Sequence, residues 1–479
     1  MNKFTKIVAT ISDLKCDIPF LKSLVDEGVN VVRLNSAHMS KEGFDKVIGN
    51  IRTVSRSVAV LMDTKGPEIR TTTCDAPLQL TTGMHIDLVA EPSIKTTVEQ
   101  ISVNYTGFVQ DVPVGASILF DDGEIELVVL ANEGDRLKCG VLNDGVLGAR
   151  KSVNVPGVKI NLPSLTERDK ATIQYCIEND VEFIAHSFVR NKQDVLDIQA
   201  ILDEHKSPIK IIAKIENQEG VNNIDEIIDV AYGIMVARGD LGIEIPLEKI
   251  PAIQSMIIEK CVLRKTPVIV ATQMLHTMIS SPRPTRAEVS DVANAIVLRT
   301  DAVMLSGETA YGKYPVEAVR TMKRIITEAE SHRVYRARIK PDNSTIDVTA
   351  YLANQAVKSI EKLGVKAIIT DSYSGRTARN LSAYRGAAPI YAICYNERVM
   401  RELALSYGVW TVYQEKGKSK RDYYIRALKT LMKNDLISRD DMVAYIGGSL
   451  QDSLGTNMLE LNKVKEAIDF FDSKNSQDD

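Results

Sequence analysis

A lysine and a glutamate end one apolar stretch of the sequence, in the segment AKIENQEG. The run from Lys210 to Ile215 is apolar and rich in β-branched residues, which predicts a buried strand. Lys214 and Glu216 are two residues apart, so a strand would place both side chains on one face at its carboxyl end. Burying either charge without a partner is unfavourable. For this strand alone, a structural Lys–Glu ion pair is the simpler interpretation.

Polar residues also stand at the ends of other apolar runs. Several runs, each a candidate strand, finish on a basic, acidic, imidazole, amide or hydroxyl side chain. These residues are Arg33 and Asn35, Asp63, His186 and Ser187, Arg238 and Asp240, Thr272, and Ser306 and Glu308. Packing alone does not explain why so many strand ends carry polar groups. The set therefore favours an active site at one end of a sheet or barrel.

The types of these residues favour phosphoryl transfer. Glu216 and Asp240 follow adjacent predicted strands and offer hard oxygen ligands, which suit Mg²⁺ or Mn²⁺. Arg33, Arg70 and Lys214 would add positive charge, and a metal with such cations stabilises a transferring phosphoryl group. The sequence has no His/Cys cluster and no G-x-x-x-x-G-K-[ST] loop, so neither a zinc site nor a Walker-type site is expected.

Eight strand patterns, each followed by a helix pattern, must position these residues. They are KIVATI, VNVVRLN, VAVLMD, VEFIAHSF, KIIAKIE, YGIMVARGD, PVIVAT and DAVMLSGE. Eight β/α units that close on themselves predict a TIM barrel, in which catalytic groups lie at the carboxyl ends of the strands. An open doubly wound sheet is the alternative, but the sequence has no G-x-G-x-x-G turn to support it.

The pattern of the sequence changes twice along the chain. Over residues 68–162, short alternating runs divided by Gly, Asp and Asn predict an antiparallel β insertion. Later, the charged and unpatterned stretch RARIKPDNST predicts a linker to a further α/β domain. We therefore expect an α/β protein with a barrel over residues 1–67 and 163–338 and a C-terminal domain over 339–479.

Composition excludes several other classes of protein. The chain has 479 residues, 25% of them charged, and a net charge of −4, so no basic surface for nucleic acid is expected. Its six cysteines form no C-x-x-C pair, which favours a reducing compartment. No apolar segment approaches the roughly 18 residues of a membrane span, and the first residues do not resemble a signal sequence. We expect a cytoplasmic protein without membrane or nucleic-acid partners.

Long motifs in the chain resemble those of the pyruvate kinase family over nearly its whole length. In the family's order they are VVRLNSAHMS, MDTKGPEIR, IAKIENQEG, MVARGDLGIEIP, ATQMLHTM, SPRPTRAEVSDVANA and MLSGETAYGKYPVEAV. The resemblance implies a TIM barrel, an inserted antiparallel β-barrel that acts as a lid, and a C-terminal α/β regulatory domain. It also implies transfer of the phosphoryl group of phosphoenolpyruvate to ADP, giving pyruvate and ATP in the last step of glycolysis. Members of the family are usually homotetramers.

The resemblance assigns roles in the phosphoryl transfer itself to four residues of the rim. Lys214 would stabilise the phosphoryl group in transfer, and Arg33 would pair with it. Glu216 and Asp240 would bind the divalent metal, Mg²⁺ or Mn²⁺, that bridges the substrate carboxylate, the enolate oxygen and the phosphate.

Other rim residues would act on the substrate carboxylate and the enolate. Backbone groups of Gly239 and Asp240, with the Thr272 hydroxyl, would hold the carboxylate, and Thr272 would also lie near the proton path to the enolate carbon. The proton donor itself is not identified by the sequence. Arg238 is interpreted as a structural ion-pair partner, and His186 stands where the family usually has a small residue and has no assigned role.

The resemblance places the nucleotide between the barrel and the insertion. The positions that match nucleotide contacts in the family are Asn35, Ser36, Ala37, His38, Arg70 and Lys151. Lys151 belongs to the insertion, so closure of a lid would bring ADP to the site and exclude water. On the motif alone, His38 is equally well explained as a residue at the start of a helix.

The sequence departs from the family pattern at the site of a monovalent cation. Family members bind K⁺ through the positions that match Asn35, Ala37, Asp63 and Thr64. The second is usually a serine, and Ala37 has no side-chain oxygen, so one ligand is lost, or Ser36 or water replaces it. Glu68 in GPEIR is the acidic form found in K⁺-requiring members. We therefore expect K⁺ to be used weakly.

The segment IITDSYSGRTARN predicts a strand, a turn and the start of a helix. Free N–H groups and the helix dipole favour phosphate at such a point, and in the family this region often binds a sugar-phosphate activator. The candidate residues for an allosteric effector are Thr370, Ser372, Ser374, Gly375, Arg376 and Thr377. The loop differs in length from the sugar-bisphosphate type, so the effector stays unnamed, and a capped helix without a ligand is the alternative.

Two other functions are compatible with part of this evidence. A barrel lyase or aldolase that acts on phosphoenolpyruvate or pyruvate by carbon–carbon chemistry would not need the insertion or Lys151. A catalytically inactive barrel kept for regulation would not need the intact set Arg33, Lys214, Glu216, Asp240 and Thr272. Formation of pyruvate in the presence of ADP, with ATP as co-product, distinguishes the three.

Overall fold

A closed barrel of eight parallel strands forms the largest unit of the structure, as predicted. The structure, a computed structural model, describes residues 3–332, 347–415, 420–448 and 455–475. In chain order, the barrel strands are Lys6–Thr10, Val31–Asn35, Ala59–Asp63, Phe183–His186, Lys210–Ile215, Gly233–Ala237, Val268–Ala271 and Ala302–Leu305. The linker predicted at RARIKPDNST lies outside the described residues.

Helices follow the strands, and the longer ones cover the outside of the barrel. Their bounds are Ile18–Glu27, Lys41–Val54, Glu167–Glu178, Lys192–Glu204, Gln218–Asn222, Ile224–Val230, Arg238–Glu244, Ile250–Leu263, Arg286–Val297, Gly307–Ala310 and Pro315–Ser331. The helix after the insertion begins with a capping box, since Thr166 and Asp169 each accept a backbone N–H from the other. Across the described part of the chain, no helix is long and apolar enough to cross a membrane.

Alternation along each strand separates an inner from an outer set of side chains. Inward-facing residues such as Leu61 and Ile212 form one buried cluster, while their sequence neighbours pack against the helices. The row that contains Ile212 continues with Lys214 and Glu216, so the prediction that these two share a face is confirmed. Leu405, from the C-terminal domain, joins the inner cluster.

The insertion is built from two β-sheets with a core of their own. A six-stranded sheet contains, in spatial order, Val153–Asn154, Ser117–Phe120, Ile125–Asn132, Arg136–Val141, His85–Val89 and Gln100–Ser102. A second sheet pairs Leu78–Leu80 with Gly145–Leu147, and the short helix is Phe108–Asp111. Every pair is antiparallel except the last pair of the larger sheet. The antiparallel prediction therefore holds with one exception, although the strands form two sheets instead of one closed barrel.

The C-terminal domain is a five-stranded sheet with helices. In spatial order the strands are Val409–Tyr413, Ile390–Cys394, Ala367–Ser372, Met442–Gly447 and Met458–Lys463. The last is antiparallel to its neighbour, and the others are parallel. The helices are Val348–Leu363, Arg376–Ala383, Glu397–Glu402, Lys420–Lys433 and Val464–Asn475.

This domain packs against the amino ends of the barrel strands. Arg385 donates to Asp301, which precedes the last strand, at 2.5 Å. Arg401 pairs with Glu182, which precedes the fourth strand, at 2.6 Å. The Lys6 ammonium, in the first strand, donates to a backbone carbonyl of the domain at 2.5 Å. The C-terminal domain therefore leaves the opposite, carboxyl ends of the strands open.

Asp301→Ala is expected to destabilise the contact between barrel and C-terminal domain. Asp301 is 3% exposed and also accepts the backbone N–H groups of Val268 at 3.1 Å and Tyr407 at 3.2 Å. Its loss leaves Arg385 buried without a countercharge, which costs about 3–5 kcal/mol. The single tryptophan, Trp410, stacks edge-on against Phe4 at 5.4 Å, so urea unfolding followed by its fluorescence reports on this contact.

Asp440→Ala is the matched control for this experiment. Asp440 is paired with Lys465 at 2.8 Å, but its side chain is 81% exposed, so its loss should change stability little. Equal unfolding midpoints for Asp301→Ala and Asp440→Ala would refute the structural importance of the buried pair.

Candidate active site

Lys214 is buried on the inner face of the barrel and contacts two carboxylates. Its ammonium lies 2.9 Å from Glu216 Oε1 and 3.1 Å from Asp63 Oδ1. It also donates to Ser187 Oγ at 2.8 Å, and that hydroxyl donates to the Thr64 carbonyl at 2.7 Å. Groups from three neighbouring strand ends therefore fix the ammonium in position. Lys214 is thus part of a larger cluster, and the interpretation as a simple Lys–Glu ion pair is wrong.

Asp63 holds a second cation, Arg33, beside Lys214. The Arg33 guanidinium contacts Asp63 Oδ2 through NH2 at 2.5 Å and Nε at 2.6 Å, and donates to Thr10 Oγ1 at 3.1 Å. Asp63 is 1% exposed, so both ion pairs are shielded from water. The sequence predicted Asp63 as a polar strand-end residue and as a K⁺ ligand, and its role as the shared partner of both cations was missed. Its position at a strand end was the available signal.

Burial and neighbouring charges shift the pKa of each member of this cluster. Burial alone would lower the pKa of Lys214, but Asp63, Glu216 and Asp240 outweigh it and raise that pKa above its usual value. Burial would raise the pKa of Asp63, but Arg33 and Lys214 hold it below its usual value. Burial raises the pKa of Glu216 to about 8 despite the opposing effect of Lys214. The surrounding protein therefore compensates the charge of Glu216 only in part.

Glu216 and Asp240 are the two carboxylates available to a divalent metal. Glu216 Oε2 accepts the backbone N–H of Phe188 at 2.7 Å. Asp240 is close enough to influence the pKa of both Lys214 and Glu216. No group of three or more His, Cys, Asp or Glu side chains is placed to hold a metal within the described ranges. Two hard oxygen donors fit Mg²⁺ when substrate and water oxygens complete its shell, as is usual for this ion.

The sequence pattern predicted that Asp240 ends a strand, but the structure places it in a helix. The strand ends at Ala237, and Arg238 and Asp240 lie in the first turn of the helix Arg238–Glu244. A helix beginning directly at a strand end turns its first backbone N–H groups and side chains toward the barrel mouth.

Thr272 and Gly239 lie next to each other, as the substrate-carboxylate hypothesis requires. The Gly239 N–H donates to Thr272 Oγ1 at 2.8 Å, and that hydroxyl donates to the Ala271 carbonyl at 2.6 Å. The two groups are thus hydrogen-bonded to each other. A substrate carboxylate can bind here if it replaces the hydrogen bond between Gly239 and Thr272.

Two other predicted rim residues do not face the site. His186 is 1% exposed, follows the outward-facing Ile184 in the strand alternation, and its ring nitrogens contact no hydrogen-bonding group of the described residues. Burial lowers its pKa to about 4, so the ring is neutral. The Glu308 carboxylate accepts the N–H groups of Leu275 at 3.0 Å and Ser306 at 2.7 Å and braces two loops. The expectation that His186 and Glu308 belong to the rim is therefore wrong, whereas Ser187, at the same strand end as His186, does contact Lys214.

A cleft of about 650 Å³ separates the insertion from the barrel. Arg70 and Lys151 line it from the insertion side and Asp240 from the barrel side. Each cation is paired: Arg70 with Glu68 at 2.8 Å and Lys151 with Asp121 at 2.7 Å. The other predicted nucleotide positions, Asn35, Ser36, Ala37 and His38, do not line this cleft.

One buried carboxylate ties together the two chain passages between barrel and insertion. Asp169 accepts the N–H of Gly66, where the chain leaves the barrel, at 3.2 Å. It also accepts the N–H of Thr166, where the chain returns from the insertion, at 3.0 Å. Arg190 donates to two carbonyls of the return segment 160–162, at 3.2 and 2.8 Å. The contacts of Asp169 with Gly66 and of Arg190 with the return segment were not predicted, because they join residues far apart in the sequence.

The predicted K⁺ ligands form an incomplete donor set. Both oxygens of Asp63 are engaged by cations, and Asn35 Oδ1 accepts the Ala37 N–H at 3.0 Å. Thr64 Oγ1 accepts the N–H of Ser187 at 3.1 Å. The Ser36 hydroxyl is buried and has no hydrogen-bond partner in the part of the chain that is described. The residues therefore fit K⁺ only in part.

The predicted effector residues divide into buried and exposed groups. Thr370, Ser372 and Thr377 are buried, whereas Ser374 and Arg376 are exposed. Gly375 has φ 74° and precedes the helix Arg376–Ala383, which has no side-chain cap. The exposed start of this helix can accept an anion.

The fold and the site together define a TIM-barrel enzyme with a cationic, carboxylate-lined centre of the kind that supports phosphoryl transfer. Comparison with known protein families identifies the family of this enzyme. The family model "pyruvate kinase, barrel domain" matches residues 2–319, and "pyruvate kinase, alpha/beta domain" matches residues 351–461. The chain belongs to the pyruvate kinase family.

Relatives and a solved structure agree with this assignment. The chain is 46% identical to the pyruvate kinase of Borreliella burgdorferi, covering 98% of this chain and 99% of that one. It is 44% identical to the pyruvate kinase of Geobacillus stearothermophilus, covering 98% of this chain and 81% of the other. A crystal structure of a Cryptosporidium parvum pyruvate kinase matches with a TM-score of 0.92 at 36% identity, covering 96% of each chain.

Proposed function

We propose that this chain transfers the phosphoryl group of phosphoenolpyruvate to ADP, giving pyruvate and ATP. One observation carries the proposal: Lys214 and Arg33 share the buried carboxylate of Asp63, with Glu216 on the other side of Lys214. This arrangement supplies fixed positive charge where negative charge develops during transfer, without reorganisation at the moment of reaction.

The two cations act on different parts of the transferring group. Lys214, held by Asp63 and Ser187, contacts the phosphoryl oxygens as the bond to the enolate oxygen breaks. Arg33 offers a planar fork suited to phosphate and pairs with the same group.

Glu216 and Asp240 would hold the Mg²⁺ or Mn²⁺ ion of the reaction. When bound, this ion supplies a Lewis acid that neutralises charge on the phosphoryl and enolate oxygens. The incompletely compensated charge of Glu216 favours such a cation beside it.

The substrate carboxylate binds at Thr272 and the first turn of the helix Arg238–Glu244. The N–H groups of Gly239 and Asp240 and the Thr272 hydroxyl donate to it, exchanging the internal contact for a bond to the carboxylate. The Thr272 hydroxyl then lies beside the enolate carbon that receives a proton, which completes pyruvate.

ADP binds in the cleft between the insertion and the barrel. Arg70 and Lys151 exchange their partners Glu68 and Asp121 for phosphate oxygens, while Asn35 to His38 contribute from the barrel. The insertion acts as a lid that pivots at the Asp169 anchor and excludes water when it closes.

A coupled assay tests the proposal. Purified protein is incubated with phosphoenolpyruvate, ADP, Mg²⁺ and K⁺, and both pyruvate and ATP are measured. We expect equal amounts of each. Pyruvate formed without ATP would show that the phosphoryl group goes to water instead of ADP. Consumption of phosphoenolpyruvate without equal pyruvate and ATP would favour carbon–carbon chemistry, and no turnover at all would favour an inactive barrel, so each of these results contradicts the proposal.

Replacement of K⁺ by tetramethylammonium is expected to lower turnover. The donor set of Asn35, Asp63 and Thr64 lacks the oxygen that Ala37 does not supply, so affinity for K⁺ should be weak. Since Lys214 and Arg33 already provide charge, the loss should be smaller than the roughly 10²–10³-fold cost of removing an oxyanion donor. Equal turnover in the two salts at the same ionic strength would contradict a K⁺ requirement.

A phosphate-bearing effector is proposed at the start of the helix Arg376–Ala383. Ser374 and Arg376 are exposed there, and the backbone N–H groups have no side-chain cap. Titration with sugar phosphates and AMP should lower the phosphoenolpyruvate concentration needed for half-maximal rate, and Arg376→Gln should remove the effect. No shift with any of them would count against regulation at this site.

Assembly as a homotetramer stays a prediction of the resemblance, and a cytoplasmic location stays a prediction of the sequence composition. Large apolar side chains exposed on this chain, such as Leu247 at 73% and Tyr311 at 71%, are compatible with contact between copies. Light scattering that gives the mass of one chain would contradict the tetramer, and recovery of the native protein from a membrane fraction would contradict the location.

A further inference from the structure

Thr272 occupies a backbone conformation that β-branched residues rarely adopt. Its φ is 66°, and that of the following residue, Gln273, is 52°. In this left-handed region Cβ crowds the backbone, and a second methyl or hydroxyl on Cβ adds to the crowding. Such a conformation persists only where surrounding contacts fix it, and these residues cluster at functional sites.

Arg238 supplies the contacts that fix this turn. Its NH2 group donates to the Thr272 carbonyl at 2.7 Å, and its Nε donates to the Ala271 carbonyl at 3.3 Å. One carbonyl belongs to the peptide unit before the Thr272 Cα and the other to the unit after it. The guanidinium therefore restrains both peptide planes that define the φ and ψ of Thr272.

Asp291 fixes the orientation of the guanidinium. Both its carboxylate oxygens accept from Arg238 NH1, at 2.6 and 2.7 Å. The Arg238 side chain is 11% exposed and that of Asp291 is 33% exposed, so the pair is partly shielded from water. The residue next to Arg238, Gly239, donates its N–H to the Thr272 hydroxyl at 2.8 Å. The same short segment thus restrains both the backbone and the side chain of Thr272.

We propose that Arg238 is a positioning residue that holds Thr272 in its left-handed conformation and thereby aims the hydroxyl at the substrate carboxylate. The inference rests on the proposed function, in which Thr272 touches the substrate. It differs from a purely structural ion pair because it requires two carbonyl contacts that a point charge cannot reproduce.

A double-mutant cycle of Arg238→Gln and Thr272→Ala tests the inference. Arg238→Gln is expected to lower kcat/KM for phosphoenolpyruvate by about 10²-fold, the cost of misplacing a reacting group by roughly 1 Å. KM for ADP should change little. In the Thr272→Ala background the same substitution should have almost no further effect, because the hydroxyl that it positions is absent.

Arg238→Lys separates positioning from simple charge pairing. Lysine keeps the charge facing Asp291 but cannot donate to both carbonyls, so the loss in kcat/KM should persist while the thermal midpoint recovers. This variant also replaces Arg238→Gln in the cycle if the glutamine variant does not fold. Arg320→Gln, which removes an arginine that pairs with Glu27 and is 50% exposed, should leave both quantities unchanged.

Three results would overturn the inference. Full recovery of kcat/KM in Arg238→Lys would leave only a structural ion pair. An equal loss on the wild-type and Thr272→Ala backgrounds would show that Arg238 does not act through Thr272. A wild-type protein that does not convert phosphoenolpyruvate and ADP would overturn the proposed function together with this inference, whereas the first two results leave that function intact.

Discussion

Lys214→Met lowers turnover by at least about 10²–10³-fold while the protein remains folded. The ammonium is the group that Asp63, Glu216 and Ser187 hold at the barrel mouth, and methionine fills the same space without charge. Arg33 remains on Asp63, so that carboxylate keeps a countercharge. The loss should fall on kcat more than on the KM of either substrate, because charge develops in the transition state.

The coupled assay and circular dichroism together check this prediction. Lys170→Met is the matched control, since Lys170 pairs with Glu167 on an exposed helix and its side chain is 50% exposed. That variant should keep full turnover. A near-normal rate in folded Lys214→Met would show that another cation, most directly Arg33, stabilises the transferring group.

Glu216→Gln is expected to remove most of the affinity for the divalent metal. Glutamine keeps the shape of the side chain and can still accept the Phe188 N–H through its amide oxygen, but it carries no charge. Loss of a residue that merely orients a ligand costs about 10–100-fold in metal affinity, so loss of a ligand should cost at least as much. The Mg²⁺ concentration for half-maximal rate should rise accordingly.

Direct binding of Mn²⁺ provides a readout that does not depend on turnover. Titration followed by electron paramagnetic resonance, with a pyruvate analogue present, should show weak binding in Glu216→Gln and normal binding in Glu178→Gln. Glu178 is exposed at a helix end, and its carboxylate accepts a hydrogen bond from the Gln174 amide at 3.0 Å. Unchanged Mn²⁺ binding in the Glu216 variant would place the metal elsewhere.

Asp63 fixes the arrangement of charges on which both predictions depend. It holds Arg33 and Lys214 side by side although like charges repel, and its own pKa stays below the usual value because of them. A buried carboxylate between two cations keeps both charged and fixed before the substrate arrives. The site therefore combines positive charge with little freedom to reorganise.

The sequence by itself determined the barrel and much of its rim. Short apolar runs, each followed by a helix pattern, predict parallel strands, and the two-residue spacing of Lys214 and Glu216 places both on one face. These rules depend only on residues that are close in the sequence, so they can be applied before the fold is known. The motifs around these residues were long enough to identify the family, which the comparisons confirmed.

Only the tertiary structure decided which polar strand ends share a site. His186 and Ser187 are adjacent in sequence, yet one points outward into the helices and the other contacts Lys214. Exact strand ends set this orientation, because a shift of one residue reverses the face of every side chain. A continuous run such as YGIMVARGD does not reveal that its strand stops at Ala237 and that a helix begins at Arg238.

Contacts between residues far apart in the chain could not be predicted from the sequence either. Arg238 was interpreted as a structural ion-pair partner, and it does pair with Asp291, but its carbonyl contacts reach Thr272, 34 residues away. The left-handed turn at Thr272 also contradicts the intrinsic preference of a threonine. Local sequence rules describe what each residue prefers, whereas barrel closure brings distant residues together and can hold one of them against its preference.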